Sequence, residues 1–289
     1  MRLHKILSMQ SLLHWLNLIS LCALAGGLVF LLLLRNDKFS ELNAAAQTSQ
    51  RRWLLAWIAV TVVTSSLSAW ALGWPTWILL VRLVELFALI VLLRQTDLTR
   101  VAVPGAGVAI ILLATQSLTS RSAHLPDGIA ATLADGFHLT MASAWLGGVA
   151  MLLVITWQVW RKQDRSLVQP LSLLLDRFSP LALFCVLGLA FTGIAQAALF
   201  LKSFQALLTT DYGRALSIKL ALFVVLIGFG AFHQQMILPR LRLALLSRKP
   251  IEPARYGPEV ARLRISLLLE AVSGAMLLLL VGIMLALPV

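Results

Sequence analysis

Charged side chains are scarce in this sequence. Of its 289 residues, 12% are charged and 60% are hydrophobic. A soluble globular domain carries about 25% charged residues, so the mean hydropathy of +0.89 excludes an ordinary soluble domain. Cysteine is scarce too, since Cys22 and Cys185 both lie within apolar runs and form no C-x-x-C motif. We interpret both cysteines as small core residues.

Acidic residues are half as frequent as basic ones, 12 against 24, and the net charge is +12. The positive charge lies in short loops between apolar runs, and no basic stripe is interleaved with aromatic residues, which excludes nucleic acid as a partner. The sequence also contains no G-x-S-x-G, no H-E-x-x-H and no Walker loop. We therefore expect neither an enzyme nor ATP-driven transport by this chain.

Eight apolar segments are long enough, or nearly so, for a membrane-spanning helix, which needs about 20 apolar residues. They predict an all-α, polytopic helical bundle in the lipid bilayer, with residues 1–289 forming a single membrane domain. The first segment is too long for a signal peptide and ends in charged residues, so we expect a retained helix. The predicted helices are 12–34, 53–73, 76–94, 101–119, 129–160, 179–201, 215–238 and 264–287.

The distribution of basic residues predicts the orientation of the bundle. The loops after the odd-numbered helices hold 17 of the 24 Lys and Arg residues, and the opposite side holds 6; the last one, Arg82, lies inside the third helix. The positive-inside rule therefore places the odd-numbered loops in the cytoplasm and both termini in the periplasm.

With this orientation, most histidines lie near the outer face, at a depth shared by two methionines. Imidazole and thioether groups are ligands that suit copper, and the thioether favours Cu(I). We predict an outer copper site, although histidines also gather at membrane interfaces because their rings are amphipathic. The outer set comprises His4, His14, His124, His138, Met9 and Met141, and the predicted metal ligands are His14, His124, His138 and Met141.

The fifth helix carries the segment DGFHLTMASAWLGG, in which Asp135, His138, Met141 and Trp145 share one helix face. Asp135 lies one turn before His138, so we expect it to hold one ring nitrogen by a hydrogen bond. The alternative is that Asp135 only caps the outer end of the helix.

The residues that follow in the same helix predict how the metal moves inward. Gly147 and Gly148 lack side chains and would let a neighbouring helix approach closely. Copper would pass beside Gly147 and Met151 on its way to the cytoplasmic side.

Two further groups of ionisable residues lie inside apolar runs, where such residues usually face a cavity or a partner. Arg82 and Glu85 are three residues apart, and we expect a structural ion pair, with Asp135 as an alternative partner of Arg82. His233 and Glu270 should lie at matching depth near the cytoplasmic side, with Met236 one turn further. This pair is either an exit site or a static clamp.

Five segments occur in an order that resembles the copper resistance protein D (CopD) family of bacterial inner-membrane proteins, over residues 101–289. Two positions depart from the family pattern: Ala123 stands in place of a Gly before His124, and His233 stands where an Asn-Arg type pair is common. The segments are SAHLPD, ADGFHLTMASAWLGG, RFSPLALFCVLGLAFTGIAQ, LLTTDYGRALSIKLALFVVLIGFGAFHQQMILPRL and RISLLLEAVSGAMLLLLVGIMLALP.

The resemblance implies copper transport or homeostasis at the bacterial inner membrane, from the periplasm to the cytoplasm, for resistance or uptake. It also implies a small periplasmic copper-binding protein as a partner. One alternative is a haem b protein, in which His14 and His138 on facing helices would ligate the iron from both sides. Another alternative is a docking protein that transports nothing.

Overall fold

The computed structural model of the chain describes residues 9–95, 97–120, 123, 128–200, 203, 205–246, 253–285 and 287. The regular elements within these ranges are all helical, and eight helices are long and apolar enough to cross a membrane. The predicted polytopic helical bundle is therefore confirmed. The orientation of the bundle, with both termini in the periplasm, stays a prediction.

The eight long helices follow one another with short connections. Short helical segments extend or join them at Leu31–Leu34, Asp37–Phe39, Arg165–Leu167, Ala206–Thr209 and Leu238–Leu246. The long helices are α1 (Met9–Phe30), α2 (Ser40–Leu72), α3 (Thr76–Leu93), α4 (Leu98–Ser117), α5 (Gly128–Lys162), α6 (Val168–Phe200), α7 (Asp211–Phe232) and α8 (Pro253–Met284).

Three helices begin more than ten residues earlier than predicted: α2, α6 and α8. The predicted starts were wrong because they were placed at charged residues, which are costly in lipid. Backbone hydrogen bonding continues through these residues, so the helices extend beyond their apolar segments. In α8, for example, the guanidinium group of Arg264 lies 3.8 Å from the ring centroid of Trp160, which covers the charge at the helix surface.

Helix α1 lies at the centre of the bundle, where it packs against α2, α4, α5 and α8. Its closest approach is to α5, because a Cβ atom added at Gly26 would overlap the backbone of Ser143, and one at Gly147 would overlap the backbone of Cys22. A Cβ atom at Gly148 would overlap the ring of Phe178 in α6. The close approach expected at the two glycines of α5 is therefore found on both sides of that helix.

A π-helical segment, His233–Ile237, follows α7. Its cause is Pro239, which has no backbone N–H and leaves the carbonyl group of Gln235 without the usual donor. The N–H group of Leu238 instead donates to the carbonyl oxygen of His233, five residues earlier. Such a bulge changes the direction in which the following side chains point.

Candidate metal centre

The imidazole ring of His138 is held between α5 and α6. Its Nδ1 atom lies 2.7 Å from the hydroxyl oxygen of Thr192, and this hydroxyl group donates to the carbonyl oxygen of Gly188 at 2.6 Å. A hydroxyl group has only one proton to donate, so Nδ1 carries the ring proton and donates to Thr192. Nε2 therefore keeps its lone pair, which is the form in which a neutral imidazole binds a metal.

Sequence analysis expected Asp135 to hold the His138 ring by a hydrogen bond, but the ring bonds Thr192 instead. Asp135 instead accepts a hydrogen bond from the side chain of Gln196 at 3.4 Å and interacts with the charge of Lys219. It lies seven residues inside α5, which begins at Gly128, so it does not cap the helix either. The role expected of Asp135 belongs to Thr192.

Lys219 lies in the same group of side chains as Asp135 and His138, and sequence analysis gave it no role. The predicted helix 215–238 already contained it, but its charge was counted with the periplasmic side. In the structure it lies within α7 and is half-buried. Its positive charge acts on both Asp135 and His138. The signal that pointed to it was the Tyr-Gly-x-x-Leu-x-x-Lys spacing from Tyr212 onward.

Met141 follows His138 by one helical turn and is buried, with 9% of its surface exposed. A Cβ atom at Gly188 would lie 3.3 Å from its sulfur atom, so the thioether points toward α6, as His138 does. Side chains at this spacing lie about 5–6 Å apart on a helix. Together the two residues offer one nitrogen and one sulfur donor at the α5–α6 interface.

The other predicted outer ligands are distributed differently. His14 lies half-buried near the N-terminal end of α1, which packs against α5. His4 and His124 lie outside the described residues. Within the described ranges, no three His, Cys, Asp or Glu side chains are grouped so that they could hold a metal ion.

Trp145 and Glu270 meet in the middle of the bundle. The indole group of Trp145 hydrogen-bonds the carboxyl group of Glu270, and its ring stacks edge-on against Phe223 at 5.9 Å. Glu270 lies midway along the Gly257–Met284 part of α8. Its expected depth, near the cytoplasmic side of the membrane, stays a prediction.

The predicted contact between His233 and Glu270 is confirmed. The Nδ1 atom of His233 lies 3.5 Å from the Oε2 atom of Glu270, and its Nε2 atom lies 2.8 Å from the hydroxyl oxygen of Ser266. Glu270 is only 2% exposed, and its Oε2 atom has no hydrogen-bond partner. A buried carboxylate oxygen therefore faces a ring nitrogen in the centre of the protein.

Two predicted pathway residues lie elsewhere. Met236 is 46% exposed, so its side chain lies on the surface of the bundle, at the π-helical segment. Met151 is fully buried, and its methyl group would lie 3.2 Å from a Cβ atom added at Gly27. It packs in the core between α5 and α1. The two free cysteines, Cys22 in α1 and Cys185 in α6, are buried as well.

Arg82 is fully buried, and its partners differ from those expected. Its Nη1 atom donates to Gln116 at 2.9 Å and to Ser65 at 3.3 Å, and Nη2 donates to Thr115 at 3.4 Å. The ring of Trp74 lies 5.3 Å from the guanidinium carbon. Among the described residues Arg82 forms no direct ion pair with a carboxylate, because its donors point toward the hydroxyl and amide groups of α2 and α4.

This polar cluster also includes Asn17, which sequence analysis missed. The side chain of Asn17 donates to Gln116 at 2.9 Å and accepts from Ser65 at 3.1 Å. The cluster therefore joins α1, α2, α3 and α4 on the side of the bundle that is predicted to be periplasmic. Its signal in the sequence was a set of single polar residues within apolar runs.

Part of the chain resembles a known protein family and two known proteins. The sequence pattern of the copper resistance protein D family matches residues 172–284. The chain is 35% identical to the copper transport protein CutJ of Bacillus subtilis over 122 residues, which are 42% of the chain and 22% of CutJ. It is 30% identical to the inner membrane protein YebZ of Escherichia coli over 123 residues, which are 42% of the chain and 41% of YebZ.

The chain thus spans less than half the length of either relative. No solved structure shows significant similarity to it. The family match covers residues 172–284, so Thr192, Lys219 and Glu270 lie within it and His138 precedes it. Residues 172–284 of this multi-pass inner-membrane protein thus resemble the copper resistance protein D family.

Proposed function

We propose that this chain transports copper across the bacterial inner membrane, from the periplasm to the cytoplasm. The observation that carries the proposal is one face of α5, where His138, Met141 and Trp145 follow one another toward Glu270. The distance along the helix from His138 to Trp145 is about 10 Å. This face leads from a nitrogen and sulfur donor pair to a carboxyl group buried inside the bundle.

Copper would be captured on the outer side by His138 and Met141. The hydrogen bond with Thr192 leaves Nε2 of His138 with its lone pair, and the thioether of Met141 is a soft donor that selects Cu(I). A third ligand would come from His14 or from His124. Lys219 repels a cation here, and Asp135 offsets that charge.

The next step would bring the ion to Glu270 and His233. A cation in the low-dielectric centre of a membrane needs a negative partner, and Glu270 supplies a carboxyl oxygen that has no hydrogen-bond partner. His233 lies beside it at 3.5 Å and leads toward the cytoplasmic side. On this account the pair is an exit site rather than only a clamp.

The relatives support the proposal through what their names state, since CutJ is a copper transport protein and YebZ is an inner membrane protein. Delivery of copper by a small periplasmic copper-binding protein stays a prediction from the family resemblance. The choice between resistance and uptake, and the expectation that the chain is not an enzyme, also stay predictions.

Copper uptake into vesicles containing the purified protein tests the proposal. We expect His138→Ala to abolish copper binding and uptake, and Glu270→Gln to block uptake while outer binding persists. Matched controls are Leu133→Ala, at an exposed position of α5, and Glu41→Gln, at an exposed position of α2. Full uptake in both His138→Ala and Glu270→Gln would overturn the route.

The same preparations separate copper from haem. The visible spectrum of the purified wild-type protein should lack a Soret band. A Soret band that disappears in His138→Ala would replace the copper proposal with the haem b alternative.

A further inference from the structure

A second buried carboxyl group lies outside the proposed copper route. Glu85 lies at the middle of α3 and is 7% exposed. Neither of its carboxyl oxygens has a hydrogen-bond partner of good geometry. The hydroxyl group of Thr115 is near enough to interact with the carboxyl group but donates its proton to the carbonyl oxygen of Leu112. The Nε atom of Arg82, one turn away, has no partner either. Burying a charged carboxyl group without a hydrogen-bond partner costs free energy, unless the group binds a cation or takes up a proton and becomes neutral.

Arg82 is the charged group nearest to Glu85, yet it does not neutralise the carboxyl group by direct contact. Its two terminal nitrogens donate to Gln116, Ser65 and Thr115 instead. The interaction with Glu85 is electrostatic and acts over a longer distance.

Within the described residues, the helices packed against α3 carry no other charged side chain at the height of Arg82 and Glu85. In α2 the nearest charged residue is Arg52, 13 residues from Ser65, which corresponds to about 20 Å along a helix. In α4 it is Arg100, 15 residues from Thr115 and so about 22 Å away. Helix α1 reaches the cluster through Asn17, with the titratable His14 one turn further outward.

We propose that Glu85 is a proton-binding site, and that its proton decides the partner of Arg82. With the proton bound, the neutral carboxylic acid releases Arg82 to Gln116 and Ser65, which is the arrangement seen here. When the proton leaves, the carboxylate ion attracts the guanidinium group away from them. The ligand atoms around Glu85 are hydroxyl and amide oxygens, which do not suit a soft copper ion. The site is therefore assigned to a proton rather than to copper.

The site is connected to the outer copper ligands through α4. Gln116, which bonds Arg82, is followed directly by Ser117, whose hydroxyl oxygen would lie 3.2 Å from a Cβ atom at Gly136. Gly136 is next to Asp135, which interacts with Ser117 as well. A change of partner at Arg82 therefore acts on the end of α4 that touches the copper site, so proton binding at Glu85 is coupled to inward copper transport. This coupling rests on the proposed function.

Infrared spectroscopy of the purified protein tests the proton site without copper. A protonated carboxyl group has a carbonyl stretching band that a carboxylate ion lacks. We expect Glu85→Gln, which imitates the protonated acid, to lose one such band and to melt at the wild-type temperature. The control Glu41→Gln, at an exposed position of α2, should keep the band. A Glu85→Gln spectrum with every band retained, or a clear drop in its melting temperature, would overturn the proton site.

Copper uptake under an imposed pH gradient tests the coupling. An acidic outside should raise uptake by the wild type severalfold and leave uptake by Glu85→Gln unchanged. The same gradient response in both proteins would overturn the coupling. A wild type without any uptake would overturn the proposed function and the coupling that rests on it, while the infrared result decides the proton site independently.

Discussion

The hydroxyl group of Thr192 accepts the ring proton of His138 across the α5–α6 interface, at 2.7 Å. Because the same hydroxyl group gives its own proton to the carbonyl oxygen of Gly188, the choice of ring tautomer is made by the backbone of α6. The nitrogen that is free for a metal is thus set by a residue within the family-matched region, although His138 itself lies before it.

Replacing Thr192 by Val should weaken copper binding while the fold persists. Valine has nearly the same shape but cannot accept the ring proton, so the tautomer with a free Nε2 atom is no longer favoured. Loss of a residue that orients a metal ligand typically reduces affinity by about 10–100-fold. Competition with a copper chelator measures this loss, and Thr192→Ser, which keeps the hydroxyl group, should bind copper nearly as the wild type does. Equal copper affinity in the Val and Ser variants would show that Thr192 contributes only to packing and does not orient the His138 ring.

The charges of Asp135 and Lys219 should act on copper as a pair. Asp135→Asn leaves the positive charge of Lys219 uncompensated beside His138, so we expect weaker copper binding, by less than in Thr192→Val because Asp135 does not hold the ring. Adding Lys219→Met to Asp135→Asn removes the repelling charge and should restore affinity. Copper titration of the single and double variants measures the coupling. If the double variant binds more weakly than Asp135→Asn, electrostatic compensation is not the role of this pair.

The number of helices and several contacts could be predicted from the sequence, whereas the identity of key partners could not. Length and hydropathy define spanning helices almost directly, and two ionisable residues at matching depth, His233 and Glu270, have few other partners in lipid. Thr192 could not be recognised in this way. A single threonine in an apolar run has no charge, and only the rotation of α6 about its axis shows which residue it faces.

The late predicted starts of α2, α6 and α8 have one physical cause. The prediction treated charged residues as the ends of membrane segments. In the structure Arg264 continues α8 inward by covering its charge with Trp160, and Lys219 lies inside α7 near Asp135. Aromatic rings and opposite charges reduce the cost of burying a cation, and they come from other parts of the chain.

Arg82→Leu should destabilise the outer half of the bundle without changing copper affinity. The leucine side chain cannot donate to Ser65, Thr115 and Gln116, and each buried polar group left without a partner costs about 1–3 kcal/mol. We expect a lower yield and a lower melting temperature in detergent, with unchanged copper binding per folded molecule. Wild-type stability combined with a loss of copper binding would instead place Arg82 on the copper route.

The crossing of α1 and α5 should tolerate almost no added volume at Gly147. A methyl group there would overlap backbone atoms of Cys22 and Gly26, and backbone atoms in a packed helix cannot move aside singly. Gly147→Ala should therefore push the two helices apart, at a cost of about 1–3 kcal/mol or more for overpacking. Because His138 and Met141 lie on the same helix, the displacement should also lower copper affinity.

Two further glycines provide graded controls for this crossing. The methyl group of Gly148→Ala would meet only the ring of Phe178, and because a side chain can turn aside, the loss of stability should be smaller than for Gly147→Ala. Gly228→Ala adds a methyl group where no atom lies within 4 Å, so its melting temperature should equal that of the wild type. Thermal unfolding of the three variants should thus rank them in the order Gly147→Ala, Gly148→Ala and Gly228→Ala, from least to most stable. A Gly147→Ala protein as stable as Gly228→Ala would mean that α1 and α5 do not cross as closely as the glycine contact indicates.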